Sequence, residues 1–250
     1  MAAGLSILIP VYNEQATVKS AIGRILDTTY PVDSVELVIV NDGSTDGTDA
    51  VLADLAAVDS RINLVTHERN AGKGEAIKTA IKHATGNYSA IMDADLEYEP
   101  SDIGKLLEPI LRGEAEVVFG SRGFESHSAF NFWFVMGNKG VTLVANVLFN
   151  CYLSDIMTCH KVMSTEIWRS LNLKCEGFDI EPEITGNVLA RGHRVYEVPV
   201  RYRARGREEG KKLTALDGLR VVRTLVECRL AMASSRRANR RLAWGGESQD

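Results

Sequence analysis

The chain has 250 residues, enough to bury a substantial core as one large domain, or as one domain with an appendage. A hydrophobic fraction of 45% and a charged fraction of 25% are those of an ordinary globular protein, and a net charge of −4 excludes general nucleic-acid binding as a working assumption. The 4 cysteines lack the close pairing of a zinc site, and Met1 to Gly4 runs into a strand-like segment without a secretory leader pattern, so reduced thiols in a cytoplasmic protein are expected.

In chain order, short apolar runs at residues 5–9, 35–40, 62–66, 88–92 and 117–120 are predicted as buried strands. Amphipathic stretches at 17–26, 48–58, 74–84 and 101–112 separate them and are predicted as helices. Continuous apolar strands alternating with helices imply an α/β fold with a mostly parallel sheet covered on both faces. Residues 129–153 are predicted helical and begin with an aromatic group, Phe130, Phe132, Trp133 and Phe134. A helix at 181–191 and a strand at 194–202 follow. The expected organisation is a catalytic domain over 1–212, an amphipathic helix over 213–233 and a polar, disordered tail over 234–250 that opens with Arg236, Arg237, Arg240 and Arg241. The longest nearly apolar stretch, 141–153, is broken by Asn146 and Asn150, and a spanning helix needs about 20 apolar residues. The chain is not expected to cross a membrane by itself, although it can lie on one.

In an open α/β sheet, ligands bind at the carboxyl ends of the strands. Three polar, acidic segments fall there: Pro10-Val11-Tyr12-Asn13-Glu14, Asn41-Asp42-Gly43-Ser44-Thr45-Asp46 and Asp93-Ala94-Asp95-Leu96-Glu97. Two carboxylates spaced as in Asp93-x-Asp95, just past a strand, can turn toward one cation, with Glu97 as a third oxygen donor. Oxygen ligands suit Mg2+ or Mn2+, which can bridge a diphosphate. The plainer reading is helix capping before Pro100. Asp42 can accept hydrogen bonds from a base or ribose, or can simply belong to a tight turn. Asn70-Ala71-Gly72-Lys73-Gly74 is not a Walker loop, since His67 and Gly74 break the pattern, but Lys73 can approach a phosphate. The basic run Arg201, Arg203, Arg205, Arg207, Lys211 and Lys212 can attract phosphate, or can be a solvated surface.

Together these segments resemble the family 2 glycosyltransferases of GT-A fold, and within them the polyprenyl-phosphate sugar synthases. The matching pieces run from Ile7 to about Lys212 and also include Val40, Gly120-Ser121-Arg122, Gly137-Asn138-Lys139, Asp155 to Lys161, Glu181 to Thr185 and Glu208 to Lys212. The resemblance implies that Pro10, Tyr12, Glu14, Val40, Asp42, Asp93 and Ala94 line a nucleotide-sugar pocket. It implies that Asp95 and Glu97 hold the metal with Asp93 close by. Arg122 would face the donor's sugar phosphate; Lys139 and the run from Arg203 to Lys212 would meet donor or acceptor phosphate. Glu97 departs from the pattern, since many relatives carry Gln there.

The implied reaction is a single displacement at the anomeric carbon, with inversion, from a nucleoside-diphosphate sugar to a polyprenyl phosphate, on a protein resting peripherally on the inner face of the membrane. A phosphate acceptor is already ionised near neutral pH. A soluble hydroxylated acceptor would need a base, for which Asp179, Glu181 and Glu183 are candidates. Two further alternatives are a catalytically silent nucleotide-sugar binding module and a nucleotidyltransferase, the latter counting on an amino-terminal glycine-rich loop that this sequence lacks.

Overall fold

Branched aliphatic runs with no polar face must be covered on both sides, and the structure puts them in one sheet. The computed structural model describes residues 3–127, 132–203 and 218–231. Its elements are β1 (Gly4–Val11), α1 (Val18–Leu26), β2 (Ser34–Asn41), α2 (Thr48–Val58), β3 (Ile62–Thr66), α3 (Lys73–His83), β4 (Tyr88–Ile91), α4 (Asp102–Leu111) and β5 (Val117–His127). After these come α5 (Phe132–Phe149), β6 (Lys161–Ser164), α6 (Thr165–Ser170), α7 (Ile180–Ala190) and β7 (Val195–Tyr202). A further helix, α8, covers residues 218–231.

The sheet has seven strands in the order β3-β2-β1-β4-β6-β5-β7. Strand β1 runs parallel to both β2 and β4, β2 to β3, and β5 to β7. Only β6, between β4 and β5, is antiparallel to its neighbours. The mostly parallel sheet expected from the sequence is therefore present, with β6 as an unforeseen seam. Four residues are too short to show a period, and the first of them is a lysine.

The chain builds β1, β2 and β3 outward on one side, then returns to place β4 on the other side of β1. That reversal leaves a crevice beyond the carboxyl ends of β1 and β4, the place where such sheets bind ligands. Ile7, Leu8 and Ile9 of β1 and Leu37 to Val40 of β2 are fully buried in the main core. Trp168 of α6 is buried against the sheet, and its indole N–H donates to the Ser89 carbonyl at 2.9 Å. A smaller second core joins Ala145 of α5, Leu153 and Ile156 to Val221 and Leu225 of α8. The predicted helix at 129–153 is realised as α5, ending at Phe149, and the predicted helix at 213–233 is seen over 218–231. Residues 128–131, 204–217 and 232–250 lie outside the described residues.

Helix α3 begins hard against the segment before α7. The Gly74 amide donates to the Glu176 carbonyl at 2.7 Å, and a Cβ on Gly74 would lie 2.3 Å from the Cys175 carbonyl oxygen. Gly74→Ala is expected to cost about 1–3 kcal/mol by overpacking, which is roughly 2–4 °C of Tm per kcal/mol for a chain of this size. Thermal melting checks it; an unchanged Tm would contradict the tight seating of α3.

Candidate active site

Three loops leave the carboxyl ends of β1, β2 and β3 and are laced together. The Asp42 amide donates to Val11 O at 2.8 Å, the Asn13 amide to Ser44 Oγ at 3.0 Å, and the Thr45 amide to Asn13 Oδ1 at 2.8 Å. Asn13 adopts a φ of 53°, a region that asparagine tolerates better than most residues. Glu14 is anchored where its amide donates to Thr48 Oγ1 at 3.0 Å. Buried Asp42 accepts from the amides of Ala71 (3.0 Å) and Gly72 (2.7 Å) and lies 2.7 Å from His67 Nδ1. Its carboxylate therefore orders the loop before α3. Gly43, at φ 67°, permits this approach, since a Cβ there would meet the Arg69 carbonyl carbon at 2.4 Å. Tyr12 stays 45% exposed on this edge, whereas the Val40 side chain is wholly buried.

The acidic segment after β4 forms a strained turn. The Met92 amide still pairs with Leu8 O at 3.0 Å, and Ala94 is buried. Leu96, a branched residue, is held at φ 63°. A bulky side chain in that region costs on the order of 1–3 kcal/mol and signals a functional constraint. The turn is closed by the Glu97 amide donating to Asp95 Oδ1 at 3.1 Å. Strand β7 grips it from outside: the Arg203 amide donates to Glu97 O at 2.9 Å, and the Tyr202 hydroxyl donates to Glu97 Oε2 at 2.6 Å.

Behind the turn lies a chain of alternating charges. Lys73 Nζ is 2.8 Å from a carboxylate oxygen of Asp93 and 3.3 Å from Glu181 Oε1, and fully buried Lys161 pairs with Glu181 from the other side. Burial alone would lower the Lys73 pKa, but the carboxylates of Asp93 and Glu181 outweigh it and hold the ammonium well above the ordinary lysine value. For Asp93, burial is likewise outweighed by Lys73, so its pKa lies below the usual aspartate value. Beside them, His160 stacks on Tyr98 at 4.3 Å, and neither of its ring nitrogens has a hydrogen-bond partner among the described residues. Burial lowers its pKa to about 4, so the ring is neutral at pH 7.

Arg122 reaches the same edge from β5. Its Nε and Nη2 bind Asp155 at 2.6 and 2.9 Å, a bidentate pair that Asn138 of α5 braces at 3.0 Å. The guanidinium lies 5.0 Å from the centre of the Tyr202 ring.

Two carboxylates at this edge are of the chemical kind that a divalent cation takes. Asp95 and Glu97 are partly exposed, carry hard oxygen donors and flank the strained Leu96, while Asp93 faces Lys73. Among the described residues no group of three or more His, Cys, Asp or Glu side chains forms a complete cage. Magnesium-type sites commonly take one or two carboxylates and fill the other positions with phosphate oxygens and water.

Residues 6–170 match the sequence profile of glycosyl transferase family 2. The chain belongs to that family. It is 28% identical over 229 residues to a dolichol-phosphate mannosyltransferase of Pyrococcus furiosus, covering 89% of this chain and 64% of that protein. It is 26% identical over 197 residues to the glycosyltransferase AglJ of Haloferax volcanii, covering 78% of this chain and 62% of that protein. The chain thus spans under two thirds of the length of either relative. Among solved structures, glucosyl-3-phosphoglycerate synthase of Mycobacterium tuberculosis in complex with uridine diphosphate superposes with a TM-score of 0.68 at 22% identity, over 91% of this chain and 80% of that one. The same enzyme in complex with Mn2+, uridine diphosphate and phosphoglyceric acid gives 0.68 at 21% identity, over 91% and 78%. The GT-A fold expected from the sequence is the fold observed.

For this family member, the structure brings Pro10, Tyr12, Glu14, Asp42, Lys73, Asp93, Ala94, Asp95, Glu97 and Arg122 to one edge of the sheet. Lys139 is exposed on α5, and Arg203 is exposed just past β7. Arg205, Lys211 and Lys212 lie outside the described residues. Sequence reasoning gave no role to Tyr202, Asp155 or Lys161, the last two entering only as the ends of a segment that carries the family resemblance. Lys161 directly precedes an apolar Val-Met pair; the partners of Tyr202 and Asp155 lie 105 and 33 residues away, which no local pattern encodes.

Lys73→Met leaves Asp93 buried without its cation, a loss of about 3 kcal/mol by the general cost of breaking a buried pair. In the native chain the depressed Asp93 pKa adds stability that is present above the ordinary aspartate range and lost as pH falls through the lowered value. In the variant the unpaired carboxylate takes up a proton more readily. The stability gap from the native chain should thus be widest near pH 7.5 and shrink toward pH 4 in urea titrations. A pH-independent gap would contradict the ion pair.

Proposed function

We propose that this family 2 member is an inverting glycosyltransferase that moves a sugar from a nucleoside-diphosphate sugar, bound with Mg2+ or Mn2+, to a polyprenyl phosphate. The observation that carries the donor half is the strained Asp95-Leu96-Glu97 turn, gripped by β7, at the topological reversal of the sheet. Asp95 and Glu97 would hold the cation. When bound, it neutralises charge that grows on the departing diphosphate.

The protein's own part is positioning. The laced loops of β1 and β2 present Pro10, Tyr12 and Glu14 toward the nucleotide, and Asp42 fixes the neighbouring loop that brings Lys73 to Asp93. Lys73 holds Asp93 ionised and in place beside the donor. Arg122, kept charged and oriented by Asp155, offers a cation near the sugar phosphate.

Two features support an already ionised acceptor. Of the three carboxylates that the sequence offers as a base, Glu181 is bound between Lys73 and Lys161, and Glu183 accepts from the amides of Lys174 and Cys175 at 2.9 Å, which leaves Asp179, half-buried at the N-cap of α7, as the group a hydroxyl acceptor would have to use. A phosphate needs no such base. The other feature is helix α5. Val141, Val144, Ala145 and Leu148 pack into the second core with Val221 and Leu225, yet Phe132, Met136, Leu143 and Val147 form an exposed apolar stripe on another face. Trp133 is 79% exposed at its start, and exposed Lys139 lies along the helix. No helix among the described residues is long and apolar enough to cross a membrane. Aromatic and aliphatic side chains beside a lysine instead suit the interface of a bilayer with anionic headgroups. The likeness to a dolichol-phosphate mannosyltransferase agrees with that acceptor. A soluble hydroxylated acceptor is the second reading, in keeping with the likeness to a synthase crystallised with phosphoglyceric acid, a small acid that carries a hydroxyl. The finding that separates them is which acceptor yields a glycosylated product, by mass, when nucleotide-sugars are screened with a short polyprenyl phosphate and with small phosphorylated acids.

Asp95→Asn should lower turnover at least about a hundredfold, equivalent to roughly 3 kcal/mol of lost charge stabilisation; native turnover in the presence of chelator would refute the metal-assisted reading. Leu143→Glu, on the exposed stripe, should reduce flotation with anionic vesicles at low salt while leaving the Tm within about 2 °C, since surface changes are worth within about 0.5 kcal/mol. Equal flotation of both proteins would remove the support that α5 lends to a lipid acceptor.

A further inference from the structure

Tyr202 ends β7 with its ring fixed on two sides. It packs edge-on against Tyr98 with ring centres 5.0 Å apart, and it lies beneath the Arg122 guanidinium. Both neighbours are themselves anchored. The Tyr98 hydroxyl accepts from the Cys159 amide at 3.1 Å, and Arg122 is clamped by Asp155. With the ring so held, the phenol oxygen has little freedom. It lies 2.6 Å from Glu97 Oε2, while the backbone beside it bridges Tyr98 and binds Glu97 O through the Arg203 amide. One short stretch of β7 thus fixes both the main chain and the side chain of Glu97.

Resting on the reading of Asp95 and Glu97 given above, we infer that Tyr202 is a positioning residue whose hydroxyl sets the orientation of the Glu97 carboxylate for a divalent cation. A carboxylate rotates freely about its last bond unless one oxygen is pinned by a donor. Pinning Oε2 from the β7 side fixes how the carboxylate plane is presented at the turn. A phenol hydroxyl carries its proton at neutral pH, so toward the Glu97 carboxylate it can only donate. Hydrogen-bond partners of ligating groups commonly govern metal affinity by 10–100-fold.

The test is Tyr202→Phe in the full chain, which keeps the ring against Tyr98 and under Arg122 and removes the hydroxyl with its bonds to Glu97 and Arg122. Mn2+ binding is read from the EPR signal of free Mn2+, titrated with and without a nucleoside diphosphate. The expected result is a Mn2+ Kd raised roughly tenfold, with kcat restored at saturating Mn2+. A second cycle guards against a general loosening of the fold: in a Glu97→Ala background, which leaves no acceptor for the hydroxyl, Tyr202→Phe should change the Kd by less than about twofold, because the pair acts as a unit. An unchanged Kd in Tyr202→Phe, when Glu97→Ala alone weakens binding, overturns this inference and leaves the metal reading intact. Equal losses in both backgrounds also overturn it, because the effect would then not pass through Glu97. Absence of Mn2+ binding by the native chain overturns both.

Discussion

A lysine ammonium set between the half-buried carboxylate of Asp93 and the buried one of Glu181 ties together the elements that meet at the edge of this sheet. Lys73 comes from the first turn of α3, Asp93 from the end of β4, Glu181 from the first turn of α7, and Lys161, beyond Glu181, from β6. None of these charges could be buried alone without a cost of several kcal/mol. As a chain of alternating sign they neutralise one another. The parallel half of the sheet and the seam strand β6 can then close on each other without leaving an unpaired ion, and the acidic turn that follows Asp93 is held at a fixed point.

The turn itself stores strain, and its surroundings compensate for it. Leu96 sits where branched side chains are rarely found, and the hydrogen bonds of Glu97 to β7 keep it there. Arg122, Asp155 and Asn138 extend the same support to α5. The helix that carries the exposed apolar stripe and the candidate donor site are therefore linked through the side chains of Asn138, Asp155 and Arg122. In a transferase of the kind proposed, that arrangement would let a surface-bound acceptor meet the donor at a set distance.

Much of this was legible in the sequence. Leu5 to Ile9 and Val35 to Val40 have no polar face, so they had to be central strands, and the acidic segments that follow strands had to share one edge. The residues that escaped notice share a physical reason. Lys161 looks like a surface lysine until Glu181 is seen beside it. Tyr202 looks like an ordinary strand residue until the fold brings Glu97 to its hydroxyl. Asp42 was legible as a charge at the right edge and Arg122 through the family resemblance, but their partners in the structure, the amides of Ala71 and Gly72 and the carboxylate of Asp155, depend on loop closures that no local pattern encodes. Strand β6 escaped because it is four residues long and begins with a charge.

The central claim is that the crevice beyond β1 and β4 holds a nucleoside diphosphate and a divalent cation together. The direct measurement is anomalous diffraction from crystals grown with Mn2+ and a nucleoside diphosphate. The expected result is one manganese peak bound by the carboxylates of Asp95 and Glu97 and by diphosphate oxygens, with the nucleotide lying over Pro10 and Tyr12. A well-ordered nucleotide bound away from these loops, or manganese ligated by other residues, would contradict it.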